Sequence, residues 1–122
     1  MSLINFDSFR TRRPDLTRAW NALESWLRRH PEASCFEITR LADELYPLPA
    51  FDLANSLEIL AGAGCVAPRL RVKDPRGVFV PGEYKSYAEI PAELPDRLHQ
   101  YIFSVGSKNV VPVYYLEPVN GP

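Results

Sequence analysis

The spacing of apolar residues changes once along the chain, and this change limits the fold more than any other feature. In three segments between residues 16 and 60, large apolar side chains recur every three or four residues, as on one face of an α-helix. From Val66 onward they alternate with polar residues, as on a half-buried β-strand. The sequence therefore predicts an α+β fold in which the helices come first and the strands follow.

The first helix is predicted over residues 15–30. Asp15 offers a side-chain cap at its start, and Pro31 ends it because proline cannot continue a helix. Four large apolar residues share one face of this helix, namely Leu16, Trp20, Leu23 and Leu27. Residues 1–14 are predicted to be irregular, with Phe6 and Phe9 as aromatic anchors.

Two further helices are predicted on either side of a proline-rich corner at residues 46–49, as in a helix-turn-helix unit. The second helix covers about residues 39–46 with Thr39 as its cap. It could instead begin at Ser34, so residues 35–37 form either a short strand or a first helical turn. The third helix covers about residues 50–62 and ends at Gly62 or Gly64. Three leucines form its buried face, namely Leu53, Leu57 and Leu60.

A β-hairpin is predicted over residues 66–80, because β-branched residues flank the polar turn sequence at residues 73–77. Beyond it, residues 82–89 are expected to be irregular and residues 95–103 to form a short helix. Residues 110–116 are predicted to form a strand. Because Pro112 has no N–H to donate, this strand is expected at an edge of the sheet.

The length of 122 residues suits one domain with a single core. We divide it into an N-terminal arm at residues 1–14, a central domain at residues 15–80 and a C-terminal extension at residues 81–122. The extension is expected to pack on the same domain.

Residues 38–45, with the sequence ITRLADEL, resemble the second helix of winged helix-turn-helix proteins. Residues 51–66, FDLANSLEILAGAGCV, resemble the third helix of that family and its exit into the wing, with Leu57, Leu60, Gly64 and Val66 in the family's pattern. The resemblance covers about residues 15–80. It implies a winged helix, which is a three-helix bundle with a β-hairpin wing, here with a C-terminal extension that adds an edge strand. It also implies DNA binding, with the third helix in the major groove and the wing on the backbone.

The charge distribution argues against DNA binding by the third helix. The net charge of the chain is −1, and residues 31–65 contain one basic and six acidic residues. We expect six side chains on the outward face of the third helix: Phe51, Asp52, Asn55, Ser56, Glu58 and Ile59. Asn55 and Ser56 could hydrogen-bond to base edges. Two carboxylates without a cation are poor neighbours for phosphates, because phosphate contacts from Lys and Arg dominate the affinity for DNA.

An apolar and acidic face suits a protein partner better, because aromatic and aliphatic anchors supply most of the binding energy at protein interfaces. The candidate interface residues are Phe51, Asp52, Asn55, Ser56 and Ile59 on the third helix and Tyr114 and Tyr115 on the last strand. A tyrosine-rich edge strand could also form a homodimer by strand addition. Alternatively, Phe51 and Ile59 pack beneath residues 81–122, and the tyrosines belong to the core.

Basic residues are concentrated in the predicted wing. The candidates for contact with DNA are Arg69, Arg71, Lys73 and Arg76, together with Asn55 and Ser56. Arg10, Arg12 and Arg13 could extend this basic surface. Alternatively, the wing cations are only the solvated face of a half-buried sheet.

Sequence motifs of nucleotide-binding proteins, zinc proteases and α/β-hydrolases do not occur in the chain. The cysteines and histidines, which are Cys35, Cys65, His30 and His99, lack metal-ligand spacing. We therefore expect no catalytic site, no metal, no cofactor and no small-molecule substrate.

Residues 1–7 lack the pattern of an export signal, and no apolar run approaches the roughly 20 residues that span a bilayer. These features predict a cytoplasmic protein with reduced cysteines and no membrane contact.

The leading hypothesis is a non-enzymatic winged-helix binding module that acts mainly through protein-protein contacts, in a regulatory or adaptor role that could include self-association. The alternative is a DNA-binding transcriptional regulator that uses the third helix and the basic wing. A third hypothesis is a regulatory or immunity-type partner of an enzyme encoded nearby.

Overall fold

The structure is a computed structural model that describes residues 4–98 and 100–116, and these residues form an α+β fold. The helices are α1 (Phe6–Arg12), α2 (Thr17–Arg29), α3 (Ile38–Glu44) and α4 (Ala50–Gly62). The strands are β1 (Cys35–Glu37), β2 (Val66–Val72), β3 (Glu93–Pro95), β4 (Ile102–Ser104) and β5 (Val110–Leu116). Short 3₁₀ turns occur at Pro14–Leu16, Tyr87–Glu89 and Ser107–Asn109.

Two compact units make up the described chain. The first contains residues 4–67 and 114–116, and the second contains residues 68–98 and 100–113. The strands β2 and β5 each run from one unit into the other. Residues 114–116 thus belong to the first unit although they follow the second unit in sequence.

The core of the first unit is built on the apolar stripes of α2 and α4. Trp20 on α2 and Leu57 on α4 are completely buried, and the other predicted stripe residues are buried with them: Leu16, Leu23, Leu27, Leu53 and Leu60. The predicted faces of both helices are therefore confirmed. Burying an aliphatic or aromatic side chain of this kind contributes about 1.5–3 kcal/mol relative to leaving it in water.

The prediction that residues 1–14 are irregular was wrong, because Phe6–Arg12 form the helix α1. The side chain of Asn5 caps it by accepting the N–H of Ser8 at 3.3 Å. Phe6 and Phe9 are buried as expected, with ring centroids 6.5 and 5.2 Å from that of Trp20. A seven-residue helix is too short to display a clear period, and its stability comes from these contacts with α2.

The starts of α2 and α3 also differ from the predicted ones. Asp15 lies in a 3₁₀ turn ahead of α2 and pairs with Arg13 instead of capping the helix. Residues 35–37 form the strand β1, which decides between the two alternatives left open at this position. Consequently α3 begins at Ile38, directly after an extended Glu37, and Thr39 lies within the helix.

The end of α4 matches the prediction. Gly64 has a φ of +79°, in the left-handed region that favours glycine. The N–H of Cys65 then donates to the carbonyl of Leu60 at 2.9 Å, which satisfies a carbonyl at the helix end.

The last strand, β5, lies in the middle of the three-stranded sheet, whose order is β1-β5-β2. The expectation that Pro112 would confine this strand to an edge was therefore wrong. Two further bonds lie at the ends of these strands: the N–H of Lys73, directly after β2, donates to the carbonyl of Asn109, directly before β5, and the N–H of Leu116 donates to the carbonyl of Ser34, directly before β1. Pro112 lies exposed near the midpoint, away from both of these bonds.

The predicted hairpin after β2 forms only in part. The turn is present, because the N–H of Gly77 donates to the carbonyl of Asp74 at 2.8 Å and Gly77 has a φ of +83°. The returning arm makes isolated bridges at Phe79 and Tyr84 and is no continuous strand. Between them lie Pro81, which has no N–H, and Gly82, with a φ of +116°, and both interrupt a ladder.

The predicted helix over residues 95–103 was wrong, because β3 and β4 form an antiparallel pair there, with Pro95 opposite Ile102. Phe103 is buried with Val72 and Val80 in the core of the second unit. The carboxylate of Asp96 accepts the N–H groups of Gln100 and Tyr101 at 2.6 and 3.2 Å, which closes the loop between the strands.

Candidate functional site

The outward face of α4 carries most of the side chains that the sequence placed there. Phe51 is 74% exposed, and Asp52, Asn55 and Ile59 are half-buried. Ser56 was assigned to the wrong face, because its side chain is completely buried and its hydroxyl donates to the carbonyl of Asp52 at 2.8 Å. Ser56 is therefore excluded from contact with any partner in this conformation.

A second exposed aromatic residue, Tyr46, lies close in sequence to Phe51. Residues 46–51, which join α3 to α4 and include the first residues of α4, are called the α3–α4 corner below. Tyr46 is 82% exposed, and Pro47 and Pro49 are exposed as well, whereas Leu48 packs against the core of the first unit. Sequence reasoning missed Tyr46, because no helical or strand period governs a segment with prolines at alternate positions.

The charges around the α3–α4 corner are acidic. The chain has no Lys or Arg between residues 41 and 68, whereas Asp43 and Glu44 precede the corner and Asp52 directly follows it. Glu44 also has a structural role, because its carboxylate accepts the indole N–H of Trp26 at 3.0 Å. The corner is therefore flanked in sequence by these acidic residues, which we call its acidic border.

A shallow cleft of about 390 Å³ lies on the outer side of α4, lined by Arg13, Asn55, Glu58 and Ile59. Arg13 brings a cation to this face, but its guanidinium already makes two hydrogen bonds to Asp15, at 2.8 and 3.0 Å. The hydrogen bonds from Arg13 hold the pKa of Asp15 below its usual range. The cleft is therefore lined by the amide residue Asn55, the acidic residue Glu58 and the basic residue Arg13, which is already bonded to Asp15.

The other basic residues near the start of the chain are also bonded within the first unit. Arg10 donates to Asp7, Asn21 and Glu24, and the guanidinium of Arg12 lies 4.7 Å from the centroid of the Phe9 ring. The charge of Arg10 is thus balanced by carboxylates, and the guanidinium of Arg12 lies over an aromatic ring.

The two tyrosines predicted to form an interface, Tyr114 and Tyr115, are half-buried on the central strand β5. The ring of Tyr114 stacks on Phe36 with centroids 6.0 Å apart, and burial, with the nearby charge of Glu58, raises its pKa. Because β5 has a neighbour on each side, strand addition along it is blocked. Tyr114 accordingly belongs to the packing of the first unit.

Two of the cations predicted to lie in a wing are found against one aromatic ring in the second unit. The guanidinium carbon of Arg71 and the ammonium nitrogen of Lys73 lie 4.5 and 4.8 Å from the centroid of Phe79. Arg71 also donates to the carbonyl of Val80 at 3.1 Å. Arg71 therefore helps to hold the returning arm of the hairpin.

The other two cations of this predicted group have acidic partners. Arg69 lies 4.0 Å from Glu83, and Arg76 donates to the completely buried carboxylate of Asp96 at 2.9 Å. The Asp96 partner raises the pKa of Arg76, with help from Tyr101. The basic residues predicted to contact DNA therefore already have partners within the second unit.

Three of the exposed apolar side chains of the second unit lie close together in sequence and were not among the predicted site residues. Leu98, Tyr101 and Ile102 lie on or directly after the loop between β3 and β4, and we call these three residues the tip. The mistaken helix over residues 95–103 concealed them, because a helix would have turned some of these side chains inward.

Cys35 and Cys65 are free thiols, and burial raises the pKa of Cys65. Residues 4–98 and 100–116 contain no group of three or more His, Cys, Asp or Glu side chains that could hold a metal ion. Within that part of the chain, no helix has the length and apolar character needed to cross a membrane.

Comparison of the chain with protein-family models, with curated proteins and with solved structures found no match.

Proposed function

We propose that this chain is a non-enzymatic winged-helix module that binds a protein partner through the α3–α4 corner and the outward face of α4. The order of its elements supports the winged-helix part of the proposal. Helices α2, α3 and α4 come first, β2 follows, and β2 and β5 lie side by side in one sheet. In this assignment β5 is the second strand of the wing, and the residues between β2 and β5 are an enlarged wing.

The exposure of Tyr46 and Phe51 is the observation that carries the proposal. Large aromatic side chains in water contribute nothing to the fold, whereas at protein interfaces they are among the strongest anchors. Both lie at the helix pair that would meet DNA in a DNA-binding member of the family. The acidic border of the corner opposes contact with phosphates and is compatible with a basic border on a protein partner.

The alternative proposal is a DNA-binding regulator. Its support is the cleft on α4, which both Asn55 and Arg13 line. Asn can pair with adenine in the major groove, and Arg can contact guanine or phosphate. The wing cations Arg69 and Lys73 would then contribute phosphate contacts.

A titration with fluorescent duplex DNA at about 50 mM salt separates the two proposals, because non-specific DNA binding is strongest at low salt. We expect no saturable change in anisotropy. Micromolar affinity that falls when Asn55→Ala or Arg69→Ala is introduced would contradict the protein-binding proposal and support the DNA-binding one.

Affinity capture from the source cell tests the protein-binding proposal directly. The baits are the wild-type chain, the double variant Tyr46→Ser/Phe51→Ser, and Tyr87→Ser as a matched control for another exposed aromatic residue. We expect a protein that the wild type and the control retain and the corner variant loses, with binding then reproduced from purified components. Equal retention by all three baits would exclude the corner as the binding surface.

A further inference from the structure

The strand β4 forms one edge of the small sheet in the second unit. It pairs antiparallel with β3, and within residues 4–98 and 100–116 this sheet has only these two strands. Opposite residues of an antiparallel ladder alternate between pairs that exchange hydrogen bonds and pairs that do not. The bonds from Val105 to Ala92 and from Asp96 to Tyr101, both 2.9 Å long, show where the bonded pairs fall. Phe103 lies midway between them and therefore belongs to a bonded pair as well.

Ile102 and Ser104, on either side of Phe103, belong to the pairs that exchange no bonds. Their N–H and carbonyl groups therefore point outward, away from β3. Both residues are exposed, Ile102 at 67%. Four main-chain hydrogen-bonding groups thus lie along the open edge of β4.

This edge lacks the features that usually protect an open strand. Charged side chains, prolines and bulges discourage an edge strand from pairing with another chain. β3 has such protection, because Glu93 and Pro95 occupy its outward-facing positions. By contrast, residues 98–107 contain no Asp, Glu, Lys, Arg or Pro, and residues 101–105, YIFSV, have high strand propensity at every position except the serine. Pairing is therefore opposed at one edge of this sheet and unopposed at the other.

A second copy of β4 matches the open edge in antiparallel orientation. When Phe103 of each copy lies on a two-fold axis, Ile102 of each copy lies opposite Ser104 of the other. Both pairs are then bonded pairs, so the four outward-pointing N–H and carbonyl groups of each copy form four hydrogen bonds between the copies. The exposed Ile102 side chains become diagonal neighbours across the axis, and no like charges are brought opposite each other.

The hydrogen bonds inside each copy favour this register over its neighbours. A register with Ile102 opposite itself would need the N–H of Gln100, which already donates to the Asp96 carboxylate at 2.6 Å. A register with Ser104 opposite itself would need the N–H of Gly106, which already donates to the side chain of Asn109 at 2.9 Å. Only the register centred on Phe103 uses groups that β3 and the two loops leave available.

From these features we infer that the protein forms a two-fold symmetric dimer through β4, in which two β3–β4 pairs join into one four-stranded antiparallel sheet. The contact buries the same edge on both copies, so assembly stops at two chains. It involves no residue of the α3–α4 corner. The inference therefore goes beyond the proposed function and does not rest on it.

Light scattering after size exclusion, repeated from about 10 μM to about 1 mM, tests the dimer. For the wild type we expect the mass to rise from the 13.8 kDa of one chain to about twice that value and to stop there. A wild type that remains monomeric over this range, or a mass that grows beyond two chains, would overturn the inference.

Proline substitutions test the edge itself. Ile102→Pro removes an outward N–H that the β3–β4 ladder does not use, and with it two of the four bonds between the copies. We expect the dissociation constant of the dimer to rise by at least about tenfold. Glu93→Pro is the matched control, because it removes an outward N–H from β3 and should leave the dimer unchanged. Equal dimerisation of both variants would overturn the inference.

A second pair of variants keeps the main chain intact in case Ile102→Pro does not fold. Ile102→Lys places a charge on the edge and should prevent dimerisation, because edge lysines oppose strand pairing. Tyr87→Lys introduces the same side chain at another exposed aromatic position and should dimerise like the wild type. Circular dichroism and the thermal midpoint establish that each variant is folded. A folded Ile102→Lys that dimerises like the wild type would also overturn the inference.

Amide hydrogen exchange at about 20 μM and about 1 mM locates the contact. We expect the amides of Ile102 and Ser104 to exchange more slowly at the higher concentration, whereas the amide of Phe103, bonded to β3, should change little. A doubling of mass without this protection would place the contact elsewhere and overturn the inference. Protection of the two amides only in a complex with another protein, while the wild type alone stays monomeric, would assign the edge to that partner and overturn the second-copy assignment.

Discussion

The carboxylate of Asp96 is completely buried, and it accepts a hydrogen bond from Nη2 of Arg76 at 2.9 Å. Twenty residues separate the two in sequence, so their bond ties the turn after β2 to the loop between β3 and β4. The same carboxylate accepts the N–H groups of Gln100 and Tyr101. One side chain therefore organises the loop that exposes the tip.

We expect Asp96→Asn to destabilise the second unit. The amide keeps the shape of the carboxylate, but it replaces one acceptor by a donor and removes the charge that pairs with Arg76. The measurement is the urea midpoint, followed by a probe in the second unit such as exchange of the Tyr101 amide. Glu93→Gln is the matched control, because Glu93 is an exposed acidic residue on β3.

A double-mutant cycle with Arg76→Gln isolates the contribution of the pair. Because both changes remove the same hydrogen bond, their effects on the free energy of unfolding should be less than additive. Full additivity would mean that Arg76 and Asp96 do not stabilise the fold through each other.

The free energy of unfolding should also depend on pH through Asp74 and Asp96. Burial alone would raise the pKa of each carboxyl group, but their hydrogen bonds outweigh it, and both pKa values lie below the usual range. Three backbone N–H groups supply these bonds at Asp74, and two N–H groups and Arg76 supply them at Asp96.

A lowered pKa in the folded state stabilises the fold at every pH above the unfolded value of about 3.9, and this stabilisation is lost as the pH falls through the folded value. We therefore expect the contribution of these two groups to be constant between pH 7 and about pH 5 and to decline below about pH 4. Urea unfolding at four pH values measures this, and Asp74→Asn/Asp96→Asn should show a smaller decline than the wild type.

The long helices could be predicted from the sequence, because α2 and α4 each span several turns and repeat their apolar positions. Trp20 and Leu57 lie where the period places them. Shorter elements depend on partners distant in sequence. The pair β3–β4 is determined by the burial of Phe103 and by the bonds of Asp96, and neither leaves a periodic pattern.

Only part of the candidate site could be predicted, because the helical period locates residues on helix faces and says nothing about residues outside helices. Phe51 follows from the helical period, but Tyr46 does not, since it precedes two prolines outside any helix. Ser56 was misplaced because the buried face of α4 is wider than its three leucines, and a small polar residue beside them bonds to the helix backbone. The basic residues of the wing were visible in the sequence, whereas their internal partners were not.

Truncation at two positions on α4 should have very different effects on the free energy of unfolding. Leu57→Ala should lower the free energy of unfolding by about 2–5 kcal/mol, because it removes a completely buried side chain and leaves a cavity. Phe51→Ala should change it by no more than about 0.5 kcal/mol, because Phe51 is exposed. Chemical unfolding of both variants measures this. A large loss of stability from Phe51→Ala would mean that this side chain serves the fold and would weaken its assignment to an interface.

Truncation of Arg71 and of Arg69 should lower the stability of the second unit to different extents. Arg71 stacks on Phe79 and donates to the carbonyl of Val80, so Arg71→Ala should destabilise the second unit by about 1–2 kcal/mol. Arg69→Ala should cost less than about 1 kcal/mol, because its ion pair with Glu83 is long and partly exposed to water. Urea unfolding of the two variants, with Arg71→Lys to retain the charge, measures the difference. Equal stabilities for Arg69→Ala and Arg71→Ala would contradict a structural role for the Arg71–Phe79 contact, and the wing cations would then be better explained by contacts with a partner.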